Sequence, residues 1–177
     1  GGARKRGNQE TMARYTPKLV HWTAKRVNQM KKHKKQGGMI FDRCLSLCCI
    51  SPSSVIMSKA LFDTYGAFDE SLPACEDYDL WLRICAHEEV LFLDTPLIEK
   101  YGGHNDQLSR AFWGMDRFRI QALEKLLAET ILTSDQRRSA LETLVKKLDI
   151  LVGGARKRGN QETMARYTPK LVHWTAK

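Results

Sequence analysis

"CEDYDLWLR", residues 75–83, is the stretch on which the reading of this chain turns. Three carboxylates, Glu76, Asp77 and Asp79, fall within four positions and should repel one another. Leu80, Trp81, Ile84 and Cys85 then follow at the spacing of one buried helix face. The pattern predicts a helix over about 77–87 with negative charge crowded at its mouth. The macrodipole and the unpaired N–H groups of a first turn accommodate one or two acidic residues, for about 0.3–1 kcal/mol each. A third carboxylate follows a loop punctuated by Gly66 and Pro73, and one held there is a candidate general base at the rim of a cleft.

Working outward, residues 39–50 are apolar and read as a buried, moderately helical segment that Ser51-Pro52-Ser53-Ser54 breaks. Val55–Met57 reads as a short strand. Ser58 is placed to cap a brief helix through Tyr65, and Gly66 suits its C-terminal stop. Val90–Leu93 has the composition of a buried strand, Pro96 interrupts it, and Leu97–Tyr101 reads as a second, edge strand. A helix is predicted over about 109–129, with Phe112, Met115, Ala122, Leu123, Leu126 and Leu127 on one side and Trp113 packed. Another starts at Thr133, whose spacing to Gln136 is that of a capping box. The fold class expected is α/β, a sheet-and-helix core followed by a helical C-terminal appendage.

The net charge of +9 suggests an acidic partner until it is located on the chain. Residues 1–25 recur unchanged as residues 153–177. Each copy carries six Lys or Arg against one Glu, whereas residues 26–152 carry 17 basic and 18 acidic residues. The basicity therefore comes from having one segment twice. The second copy continues the apolar pattern of Leu141, Leu144, Val145, Leu148, Leu151 and Val152, so it should be helical and docked. The first opens on Gly-Gly with no such face ahead of it, as a recent duplication or an error of sequence assembly would leave it. Lys31-Lys32-His33-Lys34-Lys35 is the only dense basic run outside the repeat. No aromatics interleave it, so nucleic acid is not the expected partner.

Cys44, Cys48, Cys49, Cys75 and Cys85 are odd in number and lie mostly in apolar segments, as reduced, buried thiols do. No apolar run is long enough to cross a membrane and none resembles a signal peptide. A cytoplasmic chain is expected, at most peripheral to the inner face of the membrane.

The run "ISPSSVIMSKALFDTYGAFDESLPACEDYDLWLR" followed by "FLDTPLIEKYGGHNDQLSR" resembles the C-terminal half of family 2 glycosyltransferases of the GT-A fold, over about residues 26–167. The Gly-x-Phe-Asp-Glu loop at 66–70, the Glu-Asp pair before Asp79-Leu80-Trp81-Leu82-Arg83, and the Gly-Gly-His-x-Asp-Gln-Leu-Ser loop at 102–109 occur in the family's order. The resemblance divides the chain into a duplicated basic segment (1–25), a partial GT-A, Rossmann-like core (26–108) and a helical extension (109–177). It implies an inverting transfer from a nucleotide-sugar donor to an acceptor hydroxyl. Asp77 would be the base that removes the acceptor proton, and Glu76 would orient it. His104 would ligand the divalent metal, Mn or Mg, expected of the whole family domain. Asp79, Arg83, Asp106 and Gln107 would contact substrate.

Asp77-Tyr78-Asp79 also has the spacing of a metal-binding DxD. The family's own DxD lies upstream, in the nucleotide-binding half, so Asp79 is expected to pair with Arg83 at i+4 instead. No apolar strand, Gly/Ser loop and helix, and no Asp-x-Asp, is read ahead of residue 26. The chain is therefore expected to carry the acceptor side without the donor side, and to self-associate through exposed sheet edge. The competing reading is a non-catalytic remnant, or a basic module for acidic partners.

Overall fold

The computed structural model describes residues 19–26, 35–100 and 112–177, a mixed α and β chain. The elements are β1 (Leu19–Arg26), α1 (Phe41–Ser46), a single 3-10 turn (Pro52–Ser54), β2 (Val55–Met57), α2 (Lys59–Tyr65), α3 (Glu76–Cys85), β3 (Leu91–Lys100), α4 (Asp116–Glu129), α5 (Ser134–Lys157) and α6 (Gln161–Thr175).

The strands form one sheet in the order β2-β1-β3. β1 runs antiparallel to β2, with Val20 opposite Ile56, and parallel to β3, with Val20 opposite Leu91 and Trp22 opposite Leu93. β1, which the sequence reading did not include, sits at the centre of the sheet. The register slips between Trp22 and Ala24, which pair with Leu93 and Ile98. The slip falls where Pro96 offers no N–H to the ladder, so the proline produces an irregularity inside one strand rather than the predicted break. Nor is β3 buried: Leu91, Leu93 and Leu97 are all exposed. Gly37 and Gly38 lie against the start of β3, where Gly38 exchanges two backbone bonds with Val90 at 2.8 and 3.0 Å. A Cβ on Gly37 would come within 2.5 Å of the Val90 carbonyl, so only glycine fits there.

The core is helical. Leu80, Leu82 and Ile84 of α3, Ile120, Leu123 and Leu126 of α4, and Leu144 and Leu148 of α5 are almost wholly enclosed. Phe41, Cys44, Leu45 and Ile50 join the same cluster, which draws on residues up to Val90 and from Ile120 onward. Each fully buried side chain of this kind contributes about 1.5–3 kcal/mol. α2 ends as predicted, with Gly66 at φ 78° and its N–H bonded to Phe62 O. Ser58 holds the N-cap position of α2, but its side chain caps nothing.

The capping box at Thr133 and Gln136 forms, with bonds of 2.9 and 3.2 Å. α4 starts at Asp116 rather than near 109, because Gly114 at φ 65° closes off the chain before it. Phe112 therefore lies outside the helix, and Trp113 is 56% exposed, with the Arg117 guanidinium 4.0 Å above its ring instead of core around it. The second copy of the repeat is helical and docked, with Ala155, Thr163 and Tyr167 buried. It breaks at Arg158–Asn160, where Gly159 takes φ 65° and Asn160 caps α6 through Thr163 N.

Candidate functional site

The carboxylate cluster lies at the N-terminus of α3, and the turn feeding it is unusual. Cys75, at the N-cap, adopts φ 64° and ψ 21°, the only non-glycine with positive φ among the described residues. A side chain in the left-handed region costs about 1–2 kcal/mol. The surroundings hold it there: Leu72, Ala74 and Cys75 are buried, and the Cys75 thiol faces Met115 O at 3.8 Å. Burial pushes that thiol up to about 11. Its side chain does not cap the helix, which leaves the first turn to its own acidic residues.

Asp77 is half-buried. Its Oδ1 accepts the Tyr78 N–H at 2.7 Å, and its Oδ2 accepts the Cys48 thiol at 3.1 Å. Burial, then the charge of Asp77, pushes the Cys48 thiol far above its ordinary value, so it stays a protonated donor at neutral pH. Neither Glu76 nor Asp77 enters an ion pair among the described residues. Asp77 is thus a carboxylate oriented by two donors and paired with no cation among the described residues.

Asp79 has the opposite setting. It is 1% exposed. Its Oδ2 takes the Arg83 Nε at 3.0 Å and NH2 at 2.8 Å, with Lys125 Nζ at 3.5 Å. Arg83 goes on to donate to Tyr65 O and, at 2.8 Å, to Ala67 O. Lys125 also reaches Asp69 at 2.7 Å, and Asp69 accepts from the N–H and hydroxyl of Ser71. These hydrogen bonds, from Lys125 foremost, hold the Asp69 carboxyl down to about 2. Asp79 and Arg83 therefore tie the 65–71 loop to α3 and α4 from inside. Their side chains serve that network, a structural role beside the substrate contact that the family resemblance implied.

Asp79 is likewise withdrawn from any DxD shared with Asp77, and no group of three His, Cys, Asp or Glu among the described residues is arranged to hold a metal. His104, Asp106 and Gln107 lie outside the described residues. Cys44 and Cys49 bring their sulfurs to 2.7 Å, and all five cysteines are free thiols.

Sequence reasoning missed Cys48, Cys75 and Lys125. Cys48 and Lys125 reach the cluster over 29 and 46 residues, with no local signal. The Asp69-x-Ser71 spacing did carry one, that of a side chain closing its own turn. No protein-family model, curated protein or solved structure matches this chain. No helix among the described residues is long and apolar enough to cross a membrane.

Proposed function

We propose that the chain is the acceptor-side half of an inverting family 2 glycosyltransferase of the GT-A type, with Asp77 as the general base. The observation that carries this reading is the division of labour within one helical turn. Asp79 is consumed by two cations, whereas Asp77 is aimed by an N–H and a thiol and has no counter-ion among the described residues. A carboxylate so placed can accept the proton of a sugar hydroxyl as that oxygen attacks the anomeric carbon and the nucleoside diphosphate departs. Glu76, adjacent and partly exposed, orients the acceptor. The left-handed turn at Cys75 stores strain directly before the pair, as backbones do at working sites. The parallel pairing of β1 with β3 is compatible with a partial Rossmann-like sheet. The donor-binding DxD and its metal would come from elsewhere, so the chain alone should transfer nothing.

The test joins the chain to the donor half of a family 2 enzyme and follows sugar transfer. Asp77→Asn keeps the shape and the bond from Tyr78 N–H but cannot take a proton, so the rate should fall about 10²–10⁴-fold. The circular dichroism spectrum should stay unchanged. Transfer that survives Asp77→Asn would sink the assignment.

A further inference from the structure

A second site lies on the helical side of the molecule, between the first turn of α4 and the last turns of α5. A cavity of about 300 Å³ opens there. Met115, Ile150 and Leu151 give it an apolar wall, and Arg119 and Arg158 reach it from opposite helices. Asp116 lines it too, but its Oδ1 is already met by Arg119 NH1 at 3.0 Å and by Lys147 Nζ at 3.2 Å. Two cations thus meet that carboxylate, Arg158 adds a third positive charge to the lining, and the excess charge is positive.

Two details indicate that the charge is left over for a ligand. The Nε of Arg119 is buried and has no partner among the described residues. The side chain of Arg158 makes no ion pair or hydrogen bond among them either; the residue is exposed, and its guanidinium lies back over Gly154 of α5. A Cβ on Gly154 would stand 3.1 Å from Arg158 NH2 and 3.3 Å from NH1. A glycine inside a helix is unfavourable there, and this one makes room for a guanidinium against the helix backbone.

We infer that this cavity binds the phosphate group of a small phosphorylated ligand, held between Arg119 and Arg158 with its carbon skeleton on Met115, Ile150 and Leu151. Guanidinium forks match the oxygens of a phosphate in pairs, which a point-charge ammonium does not. The site is independent of the transfer proposed above, since none of its residues is placed in that machinery.

Calorimetric titration of the full chain tests it, with hexyl phosphate and inorganic phosphate as probes. Hexyl phosphate should bind, at least tenfold more tightly than inorganic phosphate because of the apolar wall. Arg158→Ala should weaken it at least tenfold, with an unchanged thermal transition to show that the fold persists. Gly154→Ala, which leaves every charge in place but crowds Arg158, should also weaken it. Arg6→Ala, at the equivalent position of the first repeat copy, should do nothing. The inference is overturned if neither probe binds or if Arg158→Ala binds normally. It is equally overturned if Arg6→Ala costs as much as Arg158→Ala, which would make the attraction diffuse basic charge. Binding to phosphatidylcholine vesicles doped with phosphatidic acid, without binding to soluble hexyl phosphate, would mean a membrane contact in place of the cavity.

Discussion

Asp77 and Asp79 are two residues apart in one turn, and a helix rotates about 200° over that step. The two carboxylates therefore leave the helix on nearly opposite faces, which removes the apparent crowding in the sequence. One side meets a thiol and the rim of the molecule; the other meets Arg83 and Lys125 in its interior. Asp79→Asn should consequently cost about 3 kcal/mol, because it leaves two cations facing a neutral amide in a buried setting. Chemical denaturation checks this, and a loss below about 1 kcal/mol would show the network to be slack. Asp69 gives the pH dependence. Its folded value, about 2, lies below the 3.8 it has when unfolded. The stability it contributes is therefore present above pH 4 and lost as pH falls toward 2. The pair with Lys125 is partly exposed, so the loss attributable to it should not exceed about 1 kcal/mol. Lys125→Met should flatten that part of a melting-temperature profile. The Asp79–Arg83 pair was legible because i,i+4 spacing is local. Lys125 was not, since nothing in the sequence links it to a carboxylate 46 residues away.

At the level of elements, the repeat is the instructive case. Leu-Val-His-Trp-Thr-Ala-Lys occurs at 19–25 and again at 171–177. The first occurrence is the central strand of the sheet, and the second completes α6. Val, Trp and Thr favour a strand where neighbouring strands can pair with them. The second copy instead prolongs a helix already started at the Asn160 cap, and propagation costs far less than nucleation. An identical sequence can carry no signal that separates the two, which is why β1 was not foreseen. The capping box at Thr133 and the stop at Gly66 were foreseen because their chemistry is complete within four residues. Cys75 shows the converse, a left-handed residue of a type that gives no hint of it. The second copy also carries a proline two residues upstream of this stretch. Pro169 lies inside α6, where it removes the bond to Ala165 O and crowds that carbonyl. Pro169→Ala should therefore stabilise the chain, by up to about 3 kcal/mol and less if the helix has already bent to fit. Thermal melts read this, and an unchanged or lowered midpoint would mean that the helix carries no strain there.

For the molecule as a whole, the unequal finish of its two sides decides its behaviour in solution. The helices enclose a continuous core, against which Val55 and Met57 of β2 also pack, but the sheet, of three strands among the described residues, leaves other apolar side chains outside it. The register sets Ile56 of β2 and Leu91 of β3 on either side of Val20, hence on one face, and Leu93 follows two residues along the same strand. Ile56 is 64% exposed, Leu91 44% and Leu93 40%. β3 is also a ten-residue strand that ends the sheet order among the described residues. Long edges with apolar side chains pair with other edges unless charge or a bulge prevents it. Here the irregularity at Pro96 interrupts the middle of β3, but Leu91–Leu93 stays regular and carries no charge. The chain should therefore self-associate as its concentration rises, with sheet meeting sheet and the helical side left free. Sedimentation velocity across a hundredfold concentration range would show a growing heavier species. Leu93→Lys places a solvated cation on that face and should return the chain to monomer at little cost in stability, since the residue it replaces is already 40% exposed. Self-association that persists in Leu93→Lys would move the contact elsewhere on the surface, and a wild-type chain monomeric throughout the range would show that the exposed strand is protected despite its composition.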